Sequence, residues 1–500
     1  MATDKYFLLT PQQMALADQA AIQSGVSAFQ LMAAAGQAVV DEIVQRWSPC
    51  RVLIMAGPGN NGGDGFVIAN LLQQAGWPVT LAYVGRLESM SEEAQAHAKN
   101  GQSEAVALSE NLLKQADLVV DALFGAGLSR PIDGHIKSVL TALADSGIPV
   151  CAVDVPSGLD GATGKVLGIA VKAQLTVTFF RKKPGHLLLP GRHLCGELVV
   201  SDIGIPPQVL PSLAINCLEN HPENWLPFVP RHQLDGHKFH RGHVLVYGGR
   251  WMTGASRLSA RAALRVGAGL VSMAVPESAW SVYAASQLAI MVNPLTDAKV
   301  EKAFEVLLQD DRYNTILIGP GAGLEGAHKG RLQQGVLDAL ATRRPCLLDA
   351  DAISAFADDP QILFSAIQGP CVLTPHEGEF ARLFPHLAMQ TGMDKVSRAQ
   401  LAAKQSNSVI VLKGADTIIA SPDGLCAINT NAPPELATAG SGDVLAGLIA
   451  GLMAQGMPIW QAACAGVWIH GELGNLLGVG LIAEDLVEAV PSVLKSIFDK

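Results

Sequence analysis
A carboxylate that closes an apolar strand and opens onto a glycine turn brings proton transfer and ligand binding together, and this chain repeats that arrangement. Asp121 ends the run Leu118-Val119-Val120 and leads into Gly125-Ala126-Gly127-Leu128-Ser129-Arg130-Pro131. Asp154 ends Ala152-Val153 and leads into Pro156-Ser157-Gly158. Ahead of both, Gly57-Pro58-Gly59-Asn60-Asn61-Gly62-Gly63-Asp64 joins the run VLIM to the helical stretch FVIANLLQQAG. Glycines admit a ligand close to the backbone, and a helix start offers unpaired N–H groups to a phosphate. The two Asn side chains add donors and acceptors for a ligand or a bare cation. The spacing is not GxGxxG and no Lys-Ser/Thr follows, so neither the Rossmann fingerprint nor a P-loop is present. Asp121 and Asp154 also have a plainer reading, as caps of the next helix.

A second set lies in the C-terminal half. Gly440-Ser441-Gly442-Asp443 places small residues at a helix start, an anion hole of backbone N–H groups. Asp443 stands within it, placed to take a proton from a hydroxyl attacking a phosphate. Lys413-Gly414-Ala415-Asp416-Thr417 puts a cation and a turn after a strand, which suits nucleotide phosphates. His376, Glu377 and Glu379 open another helix, and the two carboxylates could support Mg²⁺. Acidic residues in a first turn are also favoured by the helix dipole, by ~0.3–1 kcal/mol each. Gly319–Gly323, Gly248-Gly249 and Gly254-Ala255 are further ligand-facing turns. His232, His237, His240 and His243 crowd together, but no cysteine is near and His243 begins an apolar strand, so zinc is not expected. Lys238 and Arg241 read as phosphate-facing cations.

The elements that must hold these residues alternate. Strand runs at 51–55, 79–84, 118–121 and 150–154 are separated by helix-length segments, which implies a mostly parallel sheet with helices on both faces. Functional residues then belong just past the carboxyl ends of strands. A proline-crowded stretch, 205–231, reads as a linker. A second α/β series follows, with strands at 243–247, 270–275, 315–318, 346–349, 371–374 and 409–412, a hairpin over 417–429, and late helices at 441–455 and 459–477. The expected domains are 1–222 and 227–500. At 500 residues the chain exceeds one ordinary core, and 49% hydrophobic with 16% charged residues suits packed α/β domains rather than disorder. A net charge of −10 without a basic block excludes a nucleic-acid footprint. Eight scattered cysteines without a CxxC pair, no secretory signal and no membrane-length apolar run point to a cytoplasmic protein.

The NNGGDG, DALFGAG and DVPSGLD strings together resemble the NAD(P)H-hydrate epimerase domain, a Rossmann-like three-layer family, over roughly residues 6–215. The resemblance implies substrate binding by Asn60, Asn61, Gly62, Gly63 and Asp64, by the loop from Gly125 to Pro131, and by Asp154 as the acid/base group. It also implies a potassium ion held by Asn61, Asp121 and Ser157. Over roughly residues 228–497 the chain resembles the ribokinase-like ADP/ATP-dependent NAD(P)H-hydrate dehydratases. That implies contacts to the hydrated cofactor at Ala255, Gly323, His376 and Asp443. Nucleotide contacts fall at Lys413, Gly414, Ala415, Asp416, Thr417 and Gly442, with Mg²⁺ carried by ADP. Ser441 stands where related sequences often have Thr, and Arg250 and Trp251 replace smaller residues after the glycine pair. Two activities are therefore expected on NADHX and NADPHX: epimerisation, then ADP- or ATP-dependent dehydration. The expected assembly is a homo-oligomer, with no nucleic acid or membrane partner. The rival is a ribokinase-like small-molecule kinase with an accessory binding domain, since ribokinase-like folds mostly phosphorylate alcohols.

Overall fold
The computed structural model describes residues 4–100, 104–230, 236–286, 288–296, 300–390 and 392–498. His232, one of the four clustered histidines, lies outside the described residues. Contacts divide the chain into two compact units, one ending at Cys217 and one beginning at Leu218.

The first unit is built on seven strands: β1 (Val52–Ala56), β2 (Val79–Tyr83), β3 (Val106–Ala107), β4 (Leu118–Ala122), β5 (Val150–Val153), β6 (Leu175–Phe179) and β7 (Glu197–Ser201). Their order is β3-β2-β1-β4-β5-β6-β7, and every pair is parallel. The chain runs outward in both directions from β1 and β4, so a crevice opens beyond their carboxyl ends. β1 shows why the strands read as unbroken apolar runs: Val52, Ile54 and Ala56 join one core cluster, while Leu53 and Met55 join another. Both faces of the sheet are covered, as parallel pairing with crossover helices requires. The helices Pro11–Gln23 and Ala28–Arg46 each begin with a reciprocal capping box, at Thr10 with Gln13 and Ser27 with Gln30.

The second sheet is built from β8 (Cys217–Glu219), which starts at the last residue of the first unit, and from β9 (His243–Tyr247), β10 (Leu270–Pro276), β11 (Met291–Leu295), β12 (Thr315–Ile318), β13 (Cys346–Leu348), β14 (Cys371–Leu373), β15 (Val409–Leu412), β16 (Ile418–Ala420) and β17 (Cys426–Ile428). The order is β11-β10-β9-β12-β13-β14-β15-β16-β17-β8. Pairing is parallel from β11 to β15 and antiparallel from β15 to β17. Here the order in which the chain adds strands reverses between β9 and β12. Helices Ser441–Ala454 and Ile459–Leu477 are nearly buried all round, which explains their weak amphipathic pattern. No described helix is long and apolar enough to cross a membrane.

The proline-crowded stretch is more ordered than a linker. Val209, Leu210 and Leu213 enter the core of the first unit. β8 then forms the edge of the second sheet. Asn220 donates from Nδ2 to the Asn429 Oδ1 and to the Cys464 carbonyl, both at 2.9 Å. Trp225 is fully buried beside Trp468. We propose that the second unit folds alone, provided these residues are kept. A C-terminal half starting at Pro227 forfeits β8, Asn220 and Trp225, and is expected to be less stable than one starting at Asn216 by ~3–5 kcal/mol, the cost of losing a large buried aromatic. Parallel thermal and urea melts of the two fragments check this; equal midpoints would refute it.

Candidate active sites
In the first unit, side chains from the ends of β1, β4, β5 and β6 meet at the crevice. Asp154 follows β5 with φ +66°, a left-handed conformation unusual for any residue but glycine. Its side chain is held from three directions. Oδ2 accepts from the Ala126 N–H at 3.0 Å, while Oδ1 accepts from Thr178 Oγ1 at 2.9 Å and from Lys183 Nζ at 2.6 Å. Lys183 Nζ also donates to Thr178 Oγ1 at 2.8 Å and is almost wholly buried. Beneath them, His186 Nδ1 accepts from the Lys183 N–H, so Nε2 is left to donate to the Asp154 carbonyl at 2.8 Å. Burial holds the His186 imidazole neutral, at about 4. Burial alone would raise the Asp154 pKa, but the Lys183 ammonium, the His186 ring and the hydrogen bonds from Lys183 and Ala126 together outweigh it and hold the carboxyl at about 2. Asp154 is therefore an ionised, pre-aimed carboxylate.

Two cavities, about 210 and 460 Å³, adjoin this group. Asp154, Lys183, Asn60, Asn61, Met14 and Asp18 line both. Asp64 borders the smaller one, and the loop from Gly125 to Arg130 borders the larger. Asn60, Asn61, Asp64 and that loop thus converge with Asp154. Gly62 and Gly63 are in neither lining and are required by packing: a Cβ on Gly62 would lie 1.7 Å from the Gly57 carbonyl oxygen, and one on Gly63 would strike Met32. Pro131 borders neither cavity. Burial, followed by the charges of Asp154 and Asp18, raises the Asp64 pKa well above its usual range.

Asp121 and Ser157 form a closed pair deeper in the unit. Asp121 accepts from Ser157 Oγ at 2.6 Å and from the Ser157 N–H at 2.8 Å. The Ser157 hydroxyl lies beside the Phe124 carbonyl, and the Phe124 N–H donates to it. Burial raises the Asp121 pKa. A buried carboxylate, a hydroxyl, a carbonyl and the Asn61 amide beside Gly125 are all hard oxygen donors, and among the described residues no basic side chain pairs with Asp121. That donor set fits a hard cation with oxygen ligands. Asn61 Nδ2 is also left without a hydrogen-bond partner. Among the described residues there is no group of three or more His, Cys, Asp or Glu side chains suited to a metal, and His243 is engaged with Ser272.

In the second unit Lys413, past the end of β15, donates to Asp349 Oδ1 at 2.8 Å and lies 3.8 Å from Glu379. Burial works against its charge, but Asp349, Glu379 and Asp443 outweigh it and its pKa is raised. A Cβ on Gly442 would sit 3.7 Å from Lys413 Nζ, so the lysine loop and the glycine turn share one site. Gly440, at φ +84°, sets the turn that starts helix Ser441–Ala454. Asp443, in its first turn, makes no side-chain hydrogen bond among the described residues. Burial first, then Asp349, pushes its carboxyl up to about 7 against the pull of Lys413. Ser259 Oγ donates to the Asp443 carbonyl at 2.8 Å and approaches the Ala255 carbonyl at 3.2 Å. The Gly323 N–H donates to Asp351 at 2.9 Å. Ala255, Gly323, Lys413, Gly442 and Asp443 are thereby gathered through Ser259, Asp349 and Asp351. His376 caps its helix through Nδ1 and keeps an exposed edge. Ala415 and Asp416 stay on the loop, with Asp416 paired to Lys395 at 2.6 Å, and Thr417 closes the turn by donating to the Gly414 carbonyl. Glu377 pairs with Arg398 instead of facing Lys413.

Sequence reasoning passed over Asp18, Lys183, His186, Asp349 and Asp351. Lys183 and Asp349 obey the same strand-end rule that singled out Asp121 and Asp154, in LTVTFFRKK and CLLDAD. Asp18 sits mid-helix before the first strand, where no local signal marks it.

Known proteins resemble this chain over both units. Residues 28–185 match the family described as YjeF-related protein N-terminus, and residues 243–490 match NAD(P)H-hydrate dehydratase. The bifunctional NAD(P)H-hydrate repair enzyme of Moorella thermoacetica is 36% identical, over 98% of this chain and 97% of its own. That of Coxiella burnetii is 32% identical over 94% and 95%. The Bacillus subtilis ADP/ATP-dependent NAD(P)H-hydrate dehydratase, co-crystallised with ATP/Mg²⁺, is 28% identical over 56% of this chain and 98% of its own, with a TM-score of 0.49.

The Asp443 environment makes a stability prediction. Its folded pKa lies above the unfolded value of 3.8, so its burial is tolerated at low pH and stability is lost as pH rises from about 4 towards 7. Asp443→Asn removes that loss. The variant is expected to melt above the wild type at pH 8 and level with it at pH 4, by calorimetry; no difference between the two pH values would contradict this.

Proposed function
The chain belongs to the family of bifunctional NAD(P)H-hydrate repair enzymes, and from that premise we propose which of its residues carry each reaction. It epimerises the R and S hydrates of NADH and NADPH, and dehydrates the S hydrate in a nucleotide-dependent step. The reading is supported by the strand-end acid, cation and glycine turn that each unit carries, and on it each activity uses the groups of its own half.

In the first site Asp154 is the base at the hydroxyl-bearing carbon. Asn60, Asn61, Asp64 and the loop from Gly125 to Arg130 bind the hydrated cofactor, while Pro131 only closes that loop. Asn61, Asp121 and Ser157 would hold potassium, which would supply a fixed positive charge to the site. In the second site Asp443 takes the proton from the substrate hydroxyl as it attacks the terminal phosphate. Hydroxide leaves poorly, and a phosphorylated oxygen leaves well, so AMP, phosphate and NAD(P)H result when ADP is the donor. Lys413, the turn through Thr417 and the Gly442 N–H hold the phosphates. Ala255, Gly323 and His376 orient the hydrated ring. Asp349, Asp351 and Glu379 are carboxylates of the right type to receive Mg²⁺, which would spread phosphate charge. All eight cysteines are free and seven are buried, which supports a reducing, cytoplasmic setting.

Hydrated NADH mixed with the protein, ADP and Mg²⁺ should regain the reduced-nicotinamide absorbance with release of AMP and phosphate. A stable phosphoester product would instead identify a small-molecule kinase. Asp443→Asn is expected to lower dehydration ~10²–10⁴-fold while sparing epimerisation; retention of half the rate would remove Asp443 as base. Asp154→Ala should abolish enzymic conversion of the R hydrate and leave S-hydrate dehydration intact, as chromatographic separation of the two epimers would reveal. Equal loss of both activities would refute the division of labour.

A further inference from the structure
Asp154 has one oxygen on Lys183 and Thr178 and the other on a backbone N–H, and inversion of a carbon centre needs more than one proton-transfer group. Water adds to the ring of a dihydronicotinamide so that the hydroxyl lands on a carbon next to the ring nitrogen, because that enamine takes its proton at the further carbon. The nitrogen lone pair can therefore expel the hydroxyl without ring opening, provided an acid protonates the departing oxygen. One carboxylate cannot supply that proton while it activates the water that returns.

We propose that Asp18 is the acid that works with Asp154 at the first site, an assignment that rests on the epimerase reading above. Asp18 comes from helix Pro11–Gln23, a different element from Asp154, yet both line the two cavities together with Lys183, Asn60 and Asn61. Its carboxyl makes no hydrogen bond or ion pair among the described residues, so it is free to meet a ligand. Charged and titratable groups bordering the same space are Lys183 and Asp154, Asp64 and Glu93 in the smaller cavity, and Arg130 in the larger; neutral His186 lies beneath Asp154. Burial, partly opposed by Lys183 and reinforced by Asp154, raises Asp18 to about 6. Two carboxylates with separated proton affinities in one site are the pattern of an acid and base pair.

The step balances as follows. Asp18 gives its proton to the hydroxyl, the C–O bond breaks, water departs, and the nitrogen lone pair forms a C=N bond. A water on the opposite face then attacks that carbon, Asp154 takes one of its protons, and the C=N electron pair returns to nitrogen. One water leaves and one enters, and solvent carries the proton from Asp154 back to Asp18.

The test measures interconversion of purified R and S hydrates by the full-length chain without nucleotide, from pH 5 to 9. An acid that must be protonated loses activity as pH rises, so wild-type kcat is expected to fall about tenfold per pH unit above about 6. Asp18→Asn should lower kcat ~10²–10⁴-fold with KM changed little, and should erase that fall. Asp18→Glu, which keeps the proton on a longer arm, should restore the pH dependence and part of the rate. Should Asp18→Asn prove unfolded by circular dichroism, the Glu variant decides: a rate no better than the uncatalysed one in a folded protein overturns the assignment. An Asn variant that keeps half of kcat with the wild-type pH profile overturns it too, while the epimerase reading stands. If the wild type fails to exceed the uncatalysed rate, the epimerase reading itself falls.

Discussion
Strands paired in parallel all finish at one edge of their sheet, and both active regions are consequences of that constraint. Each turn that leaves the edge is free of ladder hydrogen bonds and opens beside the others. In the first unit β1, β4, β5 and β6 deliver Asn61, Gly125, Asp154 and Lys183 to neighbouring positions although 122 residues separate the first from the last in sequence. In the second, β13, β14 and β15 deliver Asp349, His376 and Lys413 in the same manner. Covering both faces with helices leaves this edge as the place where polar groups can gather without disturbing the apolar layers.

Once gathered, the carboxylates are distinguished by their surroundings. Asp154 has a buried ammonium against it and is held ionised. Asp443 lies near a lysine too, but Lys413 is already bonded to Asp349, and burial dominates at Asp443. The same residue type therefore has a pKa near 2 in one site and near 7 in the other. A base poised near neutrality suits removal of a hydroxyl proton during phosphoryl transfer. A more acidic carboxylate fits a reaction whose return step needs only a nudge on water already attacking a cationic carbon.

Such groups are costly to hold. A buried ion pair gains little over an apolar pair of the same shape, and loss of one partner leaves an unpaired charge worth ~3–5 kcal/mol. The positive φ of Asp154 adds to that cost. Its hydrogen bonds to Ala126, Thr178 and Lys183, with His186 bracing its carbonyl, are the compensation that keeps this geometry in place.

Strand-helix alternation, the two α/β series and the glycine turns were legible in the chain because parallel strands buried on both faces are continuous apolar runs, and turns at their ends need small residues. Asp121, Asp154, Lys413 and Asp443 were legible for the same reason. β8 and β11 were not, since edge strands are short or interrupted by proline, and the 205–231 stretch carried its packing in isolated apolar residues among prolines. Which acids meet, and which lysine neutralises which, depended on crossover geometry. Lys183 and Asp349 stood at strand ends that looked like any other, and Asp18 stood on a helix whose pattern recorded only its buried face. The sequence by itself determined where strands end and which residue types stand there, because both are local properties. Only the tertiary structure decided protonation and partnership, because burial and the distance between charges exist only after the sheets have assembled.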